Sequence, residues 1–318
     1  MLLYQYPTYI NHITIKPEGT SMNKWNLLLT LVLGVASGQS SAGSFKPLEN
    51  FGSNPGELTA SYYQSEPSVN ALVVLLHGCG QSGEKLAQQS GFLAQAERHN
   101  FSLLIPQQQS SNNATGCFNW FSKADQEKGK GETLSIINMI DSLQSASKAK
   151  NTYIVGLSAG GAMASSLMTL YPQKFDAGAV IAGIPYPCAD NLIKAISCMK
   201  SGTDMTAKQL AKSIHKPNTD WPQLTVITGA EDKIVNPKNS ELMALQWAYL
   251  SGDTKSKGNS ENGVTKAIFG SGSELITIAG MGHGMPVNPD ISGGGQEAPF
   301  VLKSSFSAAD YLVDKWIR

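Results

Sequence analysis

The sequence predicts an α/β fold with a mostly parallel central sheet and helices on both faces of that sheet. Short runs rich in Val, Ile and Leu alternate with segments of helical periodicity from Ala71 onward. Such alternation builds βαβ units, whose crossover helices cover a parallel sheet on both sides. A chain of 318 residues can bury a large core and still form a cleft.

The strands are predicted from apolar runs that are short and bounded by Gly, Pro or Asn. Six buried strands are expected at 71–76, 101–105, 152–155, 178–182, 224–228 and 275–279. Helices are expected at 85–98, 133–148, 159–171, 238–250 and 307–317. An antiparallel edge strand is expected near Tyr62. The remaining stretches are expected to be a loop at 106–131, a lid-like insertion at about 184–221 and an exposed loop at 251–273.

Composition and charge narrow the classes of function. Apolar residues make up 41% of the chain and charged residues 15%, which is typical of a globular protein and argues against disorder. The formal net charge is +0, so the sequence has no electrostatic feature that favours nucleic acid or an anionic membrane. A neutral, apolar or bulky substrate suits this balance better than a polyanion.

Residues 22–42 have the pattern of a signal peptide. Lys24 precedes an apolar run at 25–36, and small residues follow at 37–44. The apolar run is too short to span a bilayer, so no membrane anchor is expected after cleavage at Gly38 or Ala42. The sequence therefore predicts secretion to the periplasm or the extracellular space. Residues 1–21 are predicted to be a non-native extension before a start at Met22, and 43–318 a single catalytic domain.

Residues 156–160 match the pattern G-x-S-x-G, and their context strengthens the match. A predicted strand at 152–155 leads into the motif, and a predicted helix at 159–171 leaves it. A serine on such a turn has its hydroxyl exposed at the edge of the sheet, beside a helix N-terminus that favours negative charge. The sequence therefore predicts Ser158 as a nucleophile and an α/β-hydrolase fold.

A serine nucleophile needs a base and an acid that orients the base, and in this fold they follow in the order Ser, Asp or Glu, His. His283 lies in a Gly-rich loop after the strand at 275–279, whereas His215 follows no predicted strand. His283 is therefore the expected base. Asp232 follows the strand at 224–228 and is the expected acid, with Glu231 as the alternative. Asp232 alternatively caps the next helix.

Two backbone N–H groups are expected to stabilise a developing oxyanion. One belongs to Ala159, which follows the nucleophile, and the other to Cys79, in the loop after the strand at 71–76. His77 in the same loop is interpreted as a support for the loop through hydrogen bonds. The sequence has no HExxH, CxxC or GxGxxG context, so neither a metal nor an organic cofactor is expected.

Five separated segments resemble the polyhydroxybutyrate depolymerase family of α/β-hydrolase esterases. These segments are 77–81 (HGCGQ), 116–121 (GCFNWF), 156–164 (GLSAGGAMA), 182–188 (AGIPYPC) and 282–284 (GHG). The resemblance covers roughly residues 70–290. It implies cleavage of esters of short 3-hydroxyacids, as a polyester or as oligomers, by a triad of Ser158, His283 and Asp232.

The resemblance also implies a substrate cleft with aromatic walls. Trp120 matches a family position that lines the cleft, although it could instead be a partly buried core residue. Phe118, where the family often has Trp, and Tyr186 are further expected contacts. The same neighbourhood includes feruloyl and acetyl-xylan esterases, which are the alternative function. A catalytically silent secreted binding protein is a remote alternative.

The chain has four cysteines, and an even number in an exported protein suggests two disulfides. We expect a Cys188–Cys198 bond, which closes a short loop over the cleft. A Cys79–Cys117 bond is also expected, because both residues lie in loops beyond strand ends. It would tie the oxyanion loop to the Trp120 segment.

Overall fold

The structure, a computed structural model, describes residues 44–215 and 220–318. These residues belong to one compact unit. The predicted extension at 1–21 and the predicted signal peptide at 22–42 lie outside the described residues. Within the described part of the chain, no helix is long and apolar enough to cross a membrane.

A mixed β-sheet forms the centre of the described chain. The strands are β1 Lys46–Pro47, β2 Thr59–Tyr63, β3 Ala71–Leu76, β4 Ser102–Gln107, β5 Asn151–Leu157, β6 Ala177–Ile181, β7 Gln223–Gly229, β8 Ser256–Glu261, β9 Val264–Phe269, β10 Ser273–Ile278, β11 Met285–Val287 and β12 Val301–Lys303. Among the described residues, ten strands share one sheet in the order β1, β2, β4, β3, β5, β6, β7, β10, β9, β8. β11 and β12 form a separate parallel pair.

The middle of the large sheet is parallel, as the sequence predicts. β4, β3, β5, β6, β7 and β10 correspond to the six predicted buried strands, and each neighbouring pair among them is parallel. Every residue of β3 is buried, because helices cover both faces of the sheet. The two sides of the sheet are antiparallel. β2 contains Tyr62 and is antiparallel as predicted, but β1 and not β2 is the edge strand.

Helices cover the two faces and enclose two apolar cores. They are α1 Gly83–Gln89, α2 Phe92–His99, α3 Lys123–Gln126, α4 Gly131–Ser147, α5 Ala159–Leu170, α6 Leu192–Ser201, α7 Ala207–Ser213, α8 Lys238–Ser251 and α9 Ala308–Trp316. Side chains of α4, α5 and α8 pack with Leu72 and Val74 of β3. Side chains of α1, α2 and α9 pack with Val73 and Leu75 on the other face, because successive strand residues point to opposite sides.

The predicted single helix at 85–98 is wrong, because the chain forms two helices there. α1 ends before Ser90, and Gly91 has φ 89°. A side chain at Gly91 would collide with the backbone of Gly293 and would lie 2.9 Å from the nitrogen of Gly295. A distant segment therefore crosses closely at this position, which local periodicity does not reveal.

The predicted loop at 251–273 is also wrong, because β8 and β9 form a hairpin that extends the sheet beyond β10. The six residues of β8 are polar or Gly and all exposed, so they lack the alternation of a half-buried strand. Asn262 and Gly263 connect the strands with φ 51° and 76°. An Asn-Gly pair with positive φ at both residues is the type I′ signal for a two-residue hairpin.

The sheet brings the predicted site residues to one edge. The loops after β3, β5, β7 and β10 all leave from the carboxyl ends of parallel strands, where open α/β sheets form their binding crevice. The predicted insertion follows β6 and contains α6 and α7. The fold therefore places the predicted motifs around the carboxyl end of β5.

Candidate active site

Ser158 lies on a sharp turn between β5 and α5. Its φ of 56° and ψ of −117° are unusual for a residue with a side chain. A side chain at Gly156 would collide with the Gly160 carbonyl, and one at Gly160 would collide with the carbonyls of Leu76 and His77. The two glycines of the motif therefore allow the strand, the turn and the helix to meet closely enough to hold the serine in this conformation.

His283 reaches this serine from the loop after β10. Its Nε2 is 2.9 Å from the Ser158 Oγ, and its Nδ1 is 2.7 Å from the Asp232 Oδ2. The Asp232 side chain is completely buried and the His283 side chain is 6% exposed, so water barely reaches the pair. The three side chains form a continuous chain of hydrogen bonds through which a proton can pass from a hydroxyl to an imidazole.

Asp232 is held by its own loop. Its Oδ1 accepts hydrogen bonds from the backbone N–H groups of Ile234 and Val235 at 2.8 and 2.9 Å. These bonds leave Oδ2 directed at the imidazole. A side chain at Gly229 would collide with the carbonyls of Met281 and Gly282, so this glycine lets the acid loop and the histidine loop pack together.

The two alternative residues lie elsewhere. Glu231 is exposed, and its backbone N–H donates to the Met281 carbonyl at 2.9 Å, so it joins the two loops through its main chain. His215 is exposed in the insertion after α7. The structure therefore brings Asp232 and His283 to the serine, as the sequence predicts, and leaves Glu231 and His215 outside the contact.

The predicted oxyanion loop lies directly beside the serine. A Cβ built on Gly78 would lie 3.5 Å from the Ser158 Cβ, an ordinary van der Waals distance, so this loop passes next to the serine. Cys79 follows in this loop. Ala159 is the first residue of α5, where backbone N–H groups have no partner within the helix. Both predicted donors therefore come from segments that touch the nucleophile.

His77 supports this loop and takes no part in the serine contact. Its Nε2 accepts from the Gln108 N–H at 3.1 Å, so the proton must be on Nδ1, which donates to the Gly78 carbonyl at 2.7 Å. Burial lowers the pKa of His77, and its bond to the Gly78 carbonyl opposes that shift. A neutral imidazole thus fixes the carbonyl next to Cys79 and the start of the following loop.

A buried carboxylate, which sequence reasoning missed, organises that following loop. Glu132 of α4 accepts from the Gln108 Nε2 at 2.6 Å, the Asn112 Nδ2 at 3.1 Å, the Asn119 Nδ2 at 2.8 Å and the Asn119 N–H at 2.7 Å. Burial raises its pKa to about 7, although the bonds from Asn119 and Gln108 act in the opposite direction. A Glu in the first turn of a helix is common, so the sequence offers no signal that distinguishes this one.

The three aromatic residues predicted to contact substrate differ in burial. Phe118 is completely buried and packs on the His77 ring, with centroids 4.8 Å apart, so its assignment to the cleft wall is wrong in this structure. Trp120 is 9% exposed and packs edge-on against Phe121, which agrees with the alternative of a core position. Tyr186 is half-buried and lines a pocket of about 290 Å³ in which Lys123 also lies.

Both predicted disulfides are present. Cys79 is bonded to Cys117, and Cys188 is bonded to Cys198. The first bond joins the oxyanion loop to the loop that Glu132 organises, and the Gly80 N–H adds a hydrogen bond to the Gly116 carbonyl at 3.2 Å. The second bond joins the start of the insertion to α6.

Comparisons with known proteins identify relatives of this chain. A family model described as "Esterase PHB depolymerase" matches residues 64–269. Poly(3-hydroxyalkanoate) depolymerase C of Paucimonas lemoignei is 33% identical over 304 residues, covering 90% of this chain and 73% of that protein. Feruloyl esterase B of Talaromyces funiculosus is 28% identical over 271 residues, covering 79% of this chain and 76% of that protein.

The fold has relatives among solved structures. An acetyl xylan esterase from Aspergillus awamori superimposes with a TM-score of 0.69 at 23% identity, covering 76% of this chain and 94% of that one. This likeness supports the α/β-hydrolase fold. The family match and the depolymerase relative identify the chain as a carboxylic ester hydrolase that belongs to the polyhydroxybutyrate depolymerase family of esterases.

Proposed function

We propose that this esterase hydrolyses short-chain 3-hydroxyacid polyesters or their oligomers through an acyl-enzyme on Ser158. The observation that carries the proposal is the hydrogen-bonded chain from Ser158 through His283 to Asp232. It occurs in a protein whose 33% identical relative is named a poly(3-hydroxyalkanoate) depolymerase. The substrate class comes from that relative, and the reaction type comes from the geometry.

The proposed reaction has two halves. The Ser158 Oγ attacks the ester carbonyl carbon as His283 Nε2 accepts the hydroxyl proton. The ester C–O bond then breaks, and the departing alcohol oxygen takes that proton from His283. A water molecule attacks the acyl-enzyme by the same route, releasing the acid and restoring the serine. Asp232, held by two backbone N–H groups, keeps the imidazole oriented and stabilises its cation.

The developing negative charge falls on the carbonyl oxygen. We propose that the N–H groups of Ala159 and Cys79 donate to it, because their segments border Ser158 on two sides. The Cys79–Cys117 bond and the His77 hydrogen bonds hold this loop before substrate arrives. Donors that need no rearrangement stabilise the charge without a reorganisation cost.

The protein is proposed to act after export. The pattern at residues 22–42 and the two disulfides both suit an oxidising compartment. Signal cleavage after Ala42 would release residues 43–318 as a single catalytic domain. An N-terminal sequence of the mature protein would test the expected cleavage after Gly38 or Ala42.

A second candidate is the hydrolysis of plant cell-wall esters. The observations that favour it are the 28% identical feruloyl esterase B and the acetyl xylan esterase with a similar fold. A catalytically silent binding protein is a weaker candidate. Such a binding protein would not require a serine hydroxyl 2.9 Å from an imidazole that a buried carboxylate orients, and this structure has that arrangement.

One experiment separates these candidates. The purified mature protein is assayed on 3-hydroxybutyrate dimer and trimer, methyl ferulate and acetylated xylan, with Ser158→Ala as the matched control. We expect the hydroxybutyrate oligomers to have the highest kcat/KM and the Ser158→Ala protein to be inactive on every substrate. A higher kcat/KM for ferulate or acetylxylan would favour the second candidate. Failure of a fluorophosphonate probe to label Ser158 would favour the silent protein.

A further inference from the structure

A tight turn near His283 carries an exposed aromatic side chain that the proposed mechanism does not use. The Val301 N–H donates to the Ala298 carbonyl at 2.8 Å, and the Ala298 N–H donates to the Val301 carbonyl at 3.0 Å. Pro299 and Phe300 are therefore the two central residues of a four-residue turn. Phe300 is 44% exposed, so a large part of its apolar surface faces solvent.

The backbone of Phe300 has a conformation that large side chains avoid. Its φ is 61°. A turn with Pro at its first central position and a positive φ at its second is the type II arrangement, in which Gly or Asn normally takes the second position. A bulky residue there is strained, and such strain is found at functional sites more often than elsewhere. The exposed ring and the strained backbone both disfavour Phe on stability grounds, which directs attention to a role in activity.

The turn is held rigidly against the histidine loop. β11 and β12 pair with Met285 opposite Val301, and both of these residues are completely buried. The Met285 N–H donates to the Phe300 carbonyl at 2.9 Å. The centroids of the Phe300 and His283 rings are 6.1 Å apart, and the ring planes differ by 79°. Paired backbone, and not a free loop, thus fixes the aromatic ring beside the imidazole.

The place beside the imidazole determines which part of an ester the ring can touch. His283 returns its proton to the departing alcohol oxygen, so the alcohol part of the ester lies next to the imidazole during acylation. The carbonyl oxygen lies instead at the loop that contains Gly78 and Cys79, which borders Ser158. A ring packed at the imidazole is therefore placed to contact the alcohol part of the ester.

We propose that Phe300 is a specificity-determining residue that packs on the alcohol portion of the ester substrate. The inference rests on the proposed role of His283. In a 3-hydroxybutyrate dimer the alcohol portion is a second hydroxyacid unit, whose methyl and methylene groups offer an aromatic ring apolar surface to cover. In methyl 3-hydroxybutyrate the acyl group is the same, but the alcohol portion is a single methyl group.

The test compares these two esters in the wild-type protein and in Phe300→Gly. We expect kcat/KM for the dimer to fall about tenfold, the size of effect that a small apolar contact produces, and kcat/KM for the methyl ester to change less than about twofold. The melting temperature should stay the same or rise, because Gly relieves the strained φ. Phe300→Asn, which also tolerates positive φ, should behave in the same way.

Lys148→Gly is the matched control for backbone strain. Lys148 also has a positive φ, 59°, and is exposed at the end of α4. This variant should keep or raise the melting temperature and leave both esters unaffected. Equal losses on the two esters, or a lower melting temperature in both Phe300 variants, would show a structural role and overturn the proposal. No loss on either ester would also overturn it, because Phe300 would then make no contact with the substrate.

The proposed substrate class can fail independently of this inference. If the wild-type protein does not cleave the dimer, the polyester proposal is wrong, and the same variants are compared on benzyl acetate and methyl acetate. The two esters differ in intrinsic reactivity, and this difference cancels when the kcat/KM of each variant is divided by that of the wild-type protein on the same ester. A selective loss on benzyl acetate would then still support an alcohol contact by Phe300, and equal ratios would overturn it. Absence of Ser158 labelling by a fluorophosphonate would overturn both proposals.

Discussion

Two disulfide-linked regions lie on opposite sides of β5 in the sheet order, and they differ in how they are held. The oxyanion side, residues 77–81 and 108–119, converges on buried polar groups: His77, Gln108 and Glu132. The described part of the insertion up to residue 215 presents α6 to solvent. Leu192, Ile193 and Ile196 are exposed, and only Ala195 and Cys198 of that helix are buried.

We therefore expect the two disulfide bonds to have different roles. If the Cys79 N–H donates to the oxyanion as proposed, it must be fixed to a fraction of an ångström, and on this side hydrogen bonds and the disulfide act together. In the insertion, α6 is attached near its C-terminal end, where the Asn239 Nδ2 donates to the Cys198 carbonyl at 2.9 Å and the Asn236 N–H donates to the Met199 carbonyl at 2.9 Å. The comparison suggests that the first region controls rate and the second mainly presents a surface.

The largest effect should come from the centre that both regions surround. Ser158→Ala and His283→Ala should each lower kcat by about five to six orders of magnitude and leave the fold intact, because members of a triad act as a unit. His215→Ala, in the exposed part of the insertion, should change kcat less than about twofold. Ester hydrolysis with circular dichroism as the folding control measures this. A His215→Ala loss equal to that of His283→Ala would show that the insertion supplies the base.

Removing the disulfides one at a time tests the comparison directly. The chain-entropy relation gives about 4 kcal/mol for the Cys79–Cys117 bond, with a sequence separation of 38, and about 3 kcal/mol for the Cys188–Cys198 bond, with a separation of 10. Urea unfolding of the paired Cys→Ala variants measures these losses. We expect kcat to fall at least tenfold when the first bond is removed and less than twofold when the second is removed. Equal losses of kcat would refute the division of roles.

The pH dependence of stability should depend on Glu132. Its raised pKa means that the folded state binds this proton more tightly than the unfolded chain does. The stabilisation is complete below about pH 4.5 and is lost as pH rises through about 7, a change of about 3 kcal/mol. Glu132→Gln has no group to titrate at this position. The free energy of unfolding of the wild type, relative to that of the variant, should therefore fall by about 3 kcal/mol between pH 4.5 and 7.5. If the free energies of unfolding of the two proteins changed with pH in parallel, Glu132 would not titrate in this range.

The smallest effect is expected on the surface of the insertion. Ile193 is 82% exposed, so Ile193→Ser should change the free energy of unfolding by no more than about 0.5 kcal/mol and leave hydrolysis of small esters unchanged.

The matched substitution on the other side is Phe118→Ala, which should lower the free energy of unfolding by about 3–5 kcal/mol because it empties a buried site. Thermal unfolding of the two variants gives both values, and a large loss for Ile193→Ser would show that α6 is packed more firmly than its exposure indicates.

The parallel core of the fold could be predicted from the sequence because burial on both faces produces continuous Val, Ile and Leu runs, such as β3. β8 was missed because its polar residues lack that signal, although Asn262 and Gly263 contained a local one. The break at Gly91 depends on the distant backbone at Gly293, which local periodicity cannot reveal.

For the site, as for the fold, some residues could be predicted from the sequence and others could not. The G-x-S-x-G motif, the chain order of Ser, acid and His, and the predicted strand ends indicate the three residues that the structure joins, with Glu231 left open as the alternative acid. Burial and long-range contacts decide the rest. Phe118 lies in a family motif but packs inside, whereas Phe300 lies in no motif and is exposed beside the imidazole. Neither position can be judged until the fold places distant segments together.

The two ends of the sheet have a consequence for self-association. Unpaired strand edges invite pairing with other chains, and this hazard grows when molecules are concentrated on a solid surface such as a polyester particle. β1, at one end of the described sheet, is only Lys46 and Pro47, a charge and a residue with no N–H to donate. β8, at the other end, is wholly exposed and carries Lys257 and Glu261. We therefore expect crowded molecules of this protein to resist edge-to-edge aggregation.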